Sequence, residues 1–231
     1  MSKLAPISKT SVMDEEVLHG GVANAGTVTR LGNQVFRPSN PHTPTLHRFL
    51  AHIRAAGFGG ASEPIGVDAD GRERLHFISG DVPTPPFPDW AQHDNAISST
   101  AQLLRGLHDA SVGFDWSHGT WSSELADLTS IDDPTNAARL GWGDIDRVRR
   151  LRLVADAYGL DAAKRAEVIE CLDTTINSGG EFVRRRVEAG DANFIAMWGA
   201  MGGAERFDRR RAWWAEQRDA FAAALADSEP V

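Results

Sequence analysis

The sequence predicts an α+β protein with a small antiparallel sheet in its first third and a mostly helical remainder. Short β-type runs separated by glycine and asparagine turns dominate the first 80 residues, and helical apolar periodicity dominates from Trp90 onward. Between them lies a segment rich in proline, with Pro83, Pro85, Pro86 and Pro88. We therefore expect four parts: a flexible tail at 1–15, an N-terminal lobe at 16–80, a hinge at 81–89 and a helical lobe at 90–231.

Five segments of the N-terminal lobe have the composition of strands, and one has that of a helix. The helix is predicted at 45–56, where Leu46, Phe49, Leu50 and Ile53 recur at helical spacing and Gly57 provides the stop. The predicted strands are 16–18, 27–31, 34–37, 64–67 and 74–78. The resulting order is β-β-β-α-β-β.

Helical periodicity and end signals divide the second part of the chain. Asp133 precedes Pro134, which is typical of a helix N-cap followed by proline in the first turn. Gly159 marks the end of one helix, and Asp161 marks the start of the next. The main predicted helices are 96–108, 145–158, 161–177, 181–188 and 204–226.

Composition excludes several classes of protein. The net charge is −8 and neither half of the chain is basic, which argues against a nucleic-acid partner. Cys171 is the single cysteine, so an internal disulfide and a thiolate metal cluster are excluded. No apolar run approaches the ~18 residues that span a bilayer, and the first 15 residues lack the apolar core of a secretion signal. We expect a cytoplasmic protein without a membrane partner.

A glycine-rich stretch between the first two predicted strands is the strongest functional signal. Gly20, Gly21 and Gly26 suit a hairpin that folds over phosphate groups, although ordinary hairpins also contain such glycines. Asn24 and Thr27 either donate hydrogen bonds to a phosphate or close the turn. Lysine occurs only at 3, 9 and 164, so arginine has to supply any cation in this lobe.

The candidate cation is Arg37, at the end of the third predicted strand. Arginine can bind a phosphate through a fork of donors, but at a strand end it is often simply solvated. The predicted helix at 45–56 contains no acidic residue that could hold Arg37 in place. The predicted nucleotide site thus comprises Gly20, Gly21, Asn24, Gly26, Thr27 and Arg37.

Several motifs in this order resemble the aminoglycoside phosphotransferase family, the small-molecule branch of the protein-kinase-like fold. The stretch 19–28 resembles its nucleotide loop, 35–38 its strand with the phosphate-binding cation, and 75–82 its strand-to-hinge segment. The helix at 103–109 resembles the one that leads to the catalytic loop, and the segments around Arg184 and Arg209 resemble the C-terminal helices of actinobacterial members. The resemblance implies a five-stranded lobe, a helical lobe and ATP as the cofactor.

The resemblance fails where the family places its catalytic groups. Phosphoryl transfer in this fold uses an Asp as base, then an Asn and a second Asp as magnesium ligands. In sequences of the family these groups occur in a His-Gly-Asp-x-x-x-x-Asn motif and in a later strand that ends in Asp-x-Asp. Here His118-Gly119 is followed by Thr120, Leu125 stands at the Asn position, and no apolar strand after residue 110 ends in Asp-x-Asp. The family pattern implies that roughly 50 residues are missing between about Asp127 and Ile131, the segment that would carry these groups.

Three hypotheses remain open at this point. In the first, the chain is a phosphotransferase-like protein that is catalytically impaired or inactive, with no catalytic or metal residues and no usual magnesium binding. In the second, it is an active ATP-dependent phosphotransferase that uses other residues such as Asp115, Asp127 or Asp132. In the third, it is a non-catalytic module that binds a nucleotide or small molecule. A deletion would also expose apolar surface, which predicts self-association.

Overall fold

The structure is a computed structural model, and it describes 15–18, 24, 26–84, 86–117, 133–142, 144–178, 180–200 and 202–227. Within these residues the structure has a small sheet and eight α-helices, of which one lies between two strands and seven follow the sheet, and a short 3-10 helix at Asp89–Gln92 precedes those seven. Within the same ranges, every helix is too short or too polar to cross a membrane. The predicted α+β class, a five-stranded antiparallel sheet with one helix followed by a helical part, is confirmed.

The sheet contains five strands that pair in the order β1-β2-β3-β5-β4, and every pairing is antiparallel. The strands are β1 (Glu16–Val17), β2 (Thr29–Leu31), β3 (Gln34–Pro38), β4 (Pro64–Val67) and β5 (Arg72–His76). Strand β5 lies between β3 and β4, so the last strand of the lobe occupies an interior position. The strand that carries Arg37 therefore has β2 on one side and β5 on the other.

Two strands begin two residues away from their predicted starts, and both differences have local reasons. Strand β2 begins at Thr29 instead of residue 27, because the amide of Thr27 donates to the Asn24 carbonyl and belongs to the preceding turn. Strand β5 covers Arg72–His76 instead of 74–78. The Asp68 carboxylate accepts hydrogen bonds from the amides of Asp70 and Arg72, which tightens the turn and lets the strand begin two residues earlier.

Helix α1 (Thr43–Ala55) connects β3 to β4 and packs on the sheet lobe. Proline in its first turn fixes the start, and Ile53 is almost fully buried. Near its C-terminal half, the Phe49 ring meets the rings of Phe114 and Trp116 at centroid distances of 5.2 and 5.3 Å. These aromatic contacts join the helix of the sheet lobe to the segment after α2 (Asp94–Ser111).

The helical part packs around a core shared by α4 (Arg147–Tyr158), α5 (Ala162–Ser178) and α8 (Gly203–Ala226). Ala155, Ile176, Trp214 and Phe221 lie in this core and are nearly inaccessible to solvent. The remaining helices are shorter: α3 (Pro134–Arg139), α6 (Glu181–Glu188) and α7 (Ala192–Ala200). Helix α7 was absent from the prediction, and the Asp191 carboxylate starts it by accepting the amide of Asn193.

Candidate functional site

The candidate site is built on the sheet face that α1 covers. Side chains alternate between the two faces of a strand, so Val35 and Arg37 of β3 share a face with Glu73 and Leu75 of β5. Arg37 and Glu73 are direct cross-strand partners in the antiparallel ladder. We call this side the inner face, and its central feature is the pairing of these two charged residues.

Arg37, Glu73 and His47 form a hydrogen-bonded charge cluster on the inner face. The Arg37 guanidinium donates through Nε to Glu73 Oε2, and His47 Nε2 lies 2.9 Å from Glu73 Oε1. A carboxylate only accepts, so Nε2 of His47 must be the donor. The Glu73 side chain is 2% exposed, whereas that of Arg37 is 32% exposed. A buried carboxylate thus holds a partly exposed cation in a defined position.

The glycine-rich loop enters β2 near Arg37. Thr29 pairs with Phe36, which directly precedes Arg37, and the loop ends just before Thr29. Thr27 donates both its amide and its hydroxyl to the Asn24 carbonyl, at 3.1 and 2.9 Å, so it closes the turn. Gly26 has a φ of +75°, which favours glycine. Gly20 and Gly21 lie outside the described residues.

A second arginine of the inner face stacks on an aromatic ring. Arg30 of β2 is the cross-strand partner of Val35, and its guanidinium carbon lies 3.8 Å from the centre of the Phe77 ring. Its Nε donates to the Gly32 carbonyl at 2.9 Å. Stacking and this one hydrogen bond fix the guanidinium plane. The inner face therefore presents two oriented guanidinium groups.

The aspartates that could serve catalysis or metal binding have local structural roles where the structure describes them. The Asp68 carboxylate accepts hydrogen bonds in the β4–β5 turn. These bonds, above all the one from the Arg72 amide, lower the pKa of its carboxyl. Asp133 caps α3 as predicted, and Asp115 accepts the Ser117 amide at 2.9 Å. The described part of the chain contains no group of three or more histidine, cysteine or acidic side chains arranged to hold a metal. Asp127 and Asp132 lie outside it.

An Asp-x-Asp sequence does occur at 144–146, but the described residues shortly before it, 133–142, contain helix α3 and no strand. Asp146 is the N-cap of α4, and its carboxylate accepts the Arg149 amide at 2.9 Å. The two adjacent tryptophans of α8 belong to the helical core: Trp214 is buried in it and Trp213 packs against it.

Sequence reasoning missed Glu73 and His47. It found correctly that α1 has no acidic residue, but the partner of Arg37 comes from β5 instead. The signal for Glu73 was its spacing of two from Leu75, which puts a charged residue on the buried face of a strand. The predicted strand began at Arg74, so Glu73 was assigned to the turn.

Comparison with known proteins identifies matches that extend over most of the chain. No protein-family profile matches it. The trifolitoxin immunity protein of Rhizobium leguminosarum bv. trifolii is 27% identical in an alignment of 268 positions that covers 92% of this chain and 99% of that protein. A crystal structure of a choline/ethanolamine kinase family protein from Mesorhizobium loti superposes with a TM-score of 0.58 and 14% identity, over 94% of each chain. The chain therefore has an α+β, protein-kinase-like fold.

Proposed function

We propose that this protein is related to the small-molecule kinases and binds a phosphate-bearing ligand, such as ATP, on the inner face, with little or no phosphoryl transfer. The observation that carries the proposal is the position of Arg37, a partly exposed cation fixed by buried Glu73 on the strand that pairs with β2, and β2 follows the glycine-rich sequence. Arginine binds phosphate with two parallel hydrogen bonds when its guanidinium is presented to the ligand.

The proposal that phosphoryl transfer is impaired rests on the sequence. Catalysis of phosphoryl transfer depends on positioning and on charge stabilisation around bound magnesium. The chain has no His-Gly-Asp-x-x-x-x-Asn motif, and the residues that the structure describes just before the Asp-x-Asp at 144–146 contain no strand. The alignment with the immunity protein spans 268 positions, more than the 231 residues of this chain, so the relative has positions without a counterpart here. That difference supports a missing catalytic segment.

Thermal shift and ADP release test the proposal together. We expect ATP to raise the melting temperature of the wild-type protein equally with and without magnesium, and no ADP to form above the buffer rate. Arg37→Gln should abolish the shift. Arg54→Gln is the matched control, because Arg54 forms an exposed pair with Glu63 at 3.6 Å on the same lobe. Magnesium-dependent ADP formation would overturn the inactivity, and the absence of any shift would overturn nucleotide binding.

A second candidate function is protection against a toxin such as trifolitoxin. The observation that favours it is the identity to the trifolitoxin immunity protein over nearly the whole of that protein. Expression in a trifolitoxin-sensitive rhizobial strain tests it: protection would reduce growth inhibition relative to the empty vector. The Arg37→Gln variant then tests whether protection needs the inner face. Loss of protection by this variant at an equal protein level would link the two functions. Growth inhibition equal to that of the vector control would refute this candidate.

A further inference from the structure

We infer that Glu73 and His47 are positioning residues that hold Arg37 so that its terminal nitrogens bind a phosphate group of the ligand. The inference rests on the proposed function and adds the two residues that orient the cation. Neither contacts the phosphate in this arrangement. It depends on which donors and acceptors of the three side chains bond to one another and which remain available to a ligand.

The Arg37 guanidinium is anchored through one edge only. Its Nε donates to Glu73, and within the described part of the chain no hydrogen bond from Nη1 or Nη2 is found. A guanidinium has five N–H donors in a planar fork, so four remain available after Nε is used. The side chain is 32% exposed, which leaves this terminal edge accessible to a ligand. Two parallel N–H donors at that edge match two oxygens of a phosphate group.

Glu73 is suited to orient the cation because its own position is fixed. Its side chain is 2% exposed and both of its oxygens have partners, Arg37 on one side and His47 on the other. A buried carboxylate with a missing partner would bear a large desolvation cost, so both contacts are held tightly. Arg37 therefore does not need to lose side-chain freedom when the ligand arrives, which favours binding.

His47 connects this cluster to α1. It lies on the helix one turn before Leu50, and its imidazole is 20% exposed. Through the 2.9 Å contact to Glu73, the helix sets the orientation of a carboxylate that belongs to β5. The cation, the carboxylate and the imidazole thus come from three different elements. A shift of α1 against the sheet would be transmitted to Arg37.

The first experiment needs no ligand. In ¹⁵N–¹H spectra of the arginine side chains, the Arg37 Nε–H signal, assigned by its absence in Arg37→Lys, should be protected from solvent exchange. Glu73→Gln should remove that protection, whereas Glu63→Gln, which alters an exposed carboxylate of the same lobe, should leave it unchanged. Protection that survives Glu73→Gln would overturn the positioning role.

The second experiment measures dissociation constants for ATP, pyrophosphate and adenosine by calorimetry. We expect Glu73→Gln and His47→Leu to weaken the binding of ATP and pyrophosphate about tenfold, because each removes a charge-assisted hydrogen bond from the cluster that orients Arg37. Adenosine affinity should stay within about twofold, since it lacks the phosphate that Arg37 contacts. A general loss of structure would weaken all three ligands, so this difference separates positioning from folding. Equal loss for adenosine would refute the inference.

The wild-type data distinguish this inference from the proposed function. Binding of pyrophosphate without ATP would refute the nucleotide as ligand and leave the positioning of Arg37 supported. Binding of both, with Glu73→Gln at wild-type affinity, would refute the positioning and leave the proposed function standing. Binding of neither probe would refute both. If Glu73→Gln fails to fold, His47→Leu carries the same test, because it removes the donor to Glu73 Oε1 and leaves the buried carboxylate paired with Arg37.

Discussion

Trp214 donates its indole N–H to the Asp173 carboxylate at 2.7 Å, which fastens α8 to α5 at the centre of the helical core. The same carboxylate accepts from Arg218 Nε at 2.9 Å, one turn further along α8. Trp214 is 3% exposed, and its ring packs against Phe221. One acidic side chain therefore satisfies the polar atom of the largest core residue and pairs with a cation at the core's edge.

Replacing Asp173 with Asn should destabilise the protein by about 1–2 kcal/mol, because a charge-assisted hydrogen bond becomes a neutral one beside a buried indole. Urea unfolding followed by tryptophan fluorescence measures the change in the free energy of unfolding. Asp208→Asn is the matched control on α8: its pair with Arg211 is largely exposed, so its cost should stay within about 0.5 kcal/mol. Equal effects of the two substitutions would contradict the role assigned to Asp173.

The contribution of Asp173 should also depend on pH. The Arg218 guanidinium, together with the Trp214 N–H, lowers the pKa of Asp173 below its ordinary value of 3.8. A lowered pKa means that the charged form stabilises the folded state, so the contribution is complete above 3.8 and is lost as the pH falls through the lower, folded-state pKa.

The measurement is the difference in unfolding free energy between wild type and Asp173→Asn at pH 7, 5, 4 and 3. Taking the difference cancels the effect of other acidic groups whose pKa is lowered by partners, such as Asp94 beside Arg149. We expect a constant difference from pH 7 to 5 and a smaller one at pH 3. A difference that grows on acidification would have the wrong sign for this linkage.

The parts that could be predicted from the sequence depend on neighbours along the chain. The β2–β3 hairpin follows from Gly32 and Asn33 between two β-type runs, and this places Arg37 on its strand. The cap of α3 follows from Asp133 directly before Pro134. In each case the residues that decide the structure lie within a few positions of one another.

The cluster around Arg37 could not be predicted, because its members meet only through the pairing of β3 with β5. Glu73 is 36 residues from Arg37 in the chain and His47 is 26 residues from Glu73. Because Glu73 directly follows the turn residues before β5, the sequence places it in the turn and not on the buried face of the strand. An acidic partner of Arg37 would be expected on α1, but this helix contributes an imidazole and the sheet supplies the carboxylate.

Asp133→Ala should cost about 2 kcal/mol or more, because it removes a helix cap together with two hydrogen bonds from the buried Asn136. Asp133 is 4% exposed and accepts from the Thr135 amide at 3.0 Å and from Asn136 Nδ2 at 2.5 Å. Asp161→Ala is the control, because Asp161 is exposed and accepts only the Lys164 amide at 2.9 Å among the described side-chain contacts. It should cost about 1 kcal/mol. Similar costs for both caps, measured by urea unfolding, would refute the added burial effect.

Gly141 lies where the proline-rich segment contacts the helical part. Gly141 has a φ of +82°, and a Cβ built on it would lie 2.7 Å from Pro86 Cβ and 2.9 Å from the Phe87 nitrogen. That nitrogen donates to the Leu140 carbonyl at 2.8 Å, so the two segments are pressed together at this point. Only a residue without a side chain fits both the backbone conformation and the space.

Gly141→Ala should therefore destabilise the protein by about 2–4 kcal/mol, from left-handed backbone strain and from displacement of 86–87. Gly159→Ala is a closely matched control, because Gly159 has a φ of +79° but open space around the added Cβ. It should cost only the strain, about 1 kcal/mol. The difference between the two free energies of unfolding isolates the steric contact. Equal values would show that the proline-rich segment moves away without cost and does not hold this end of the helical part in place.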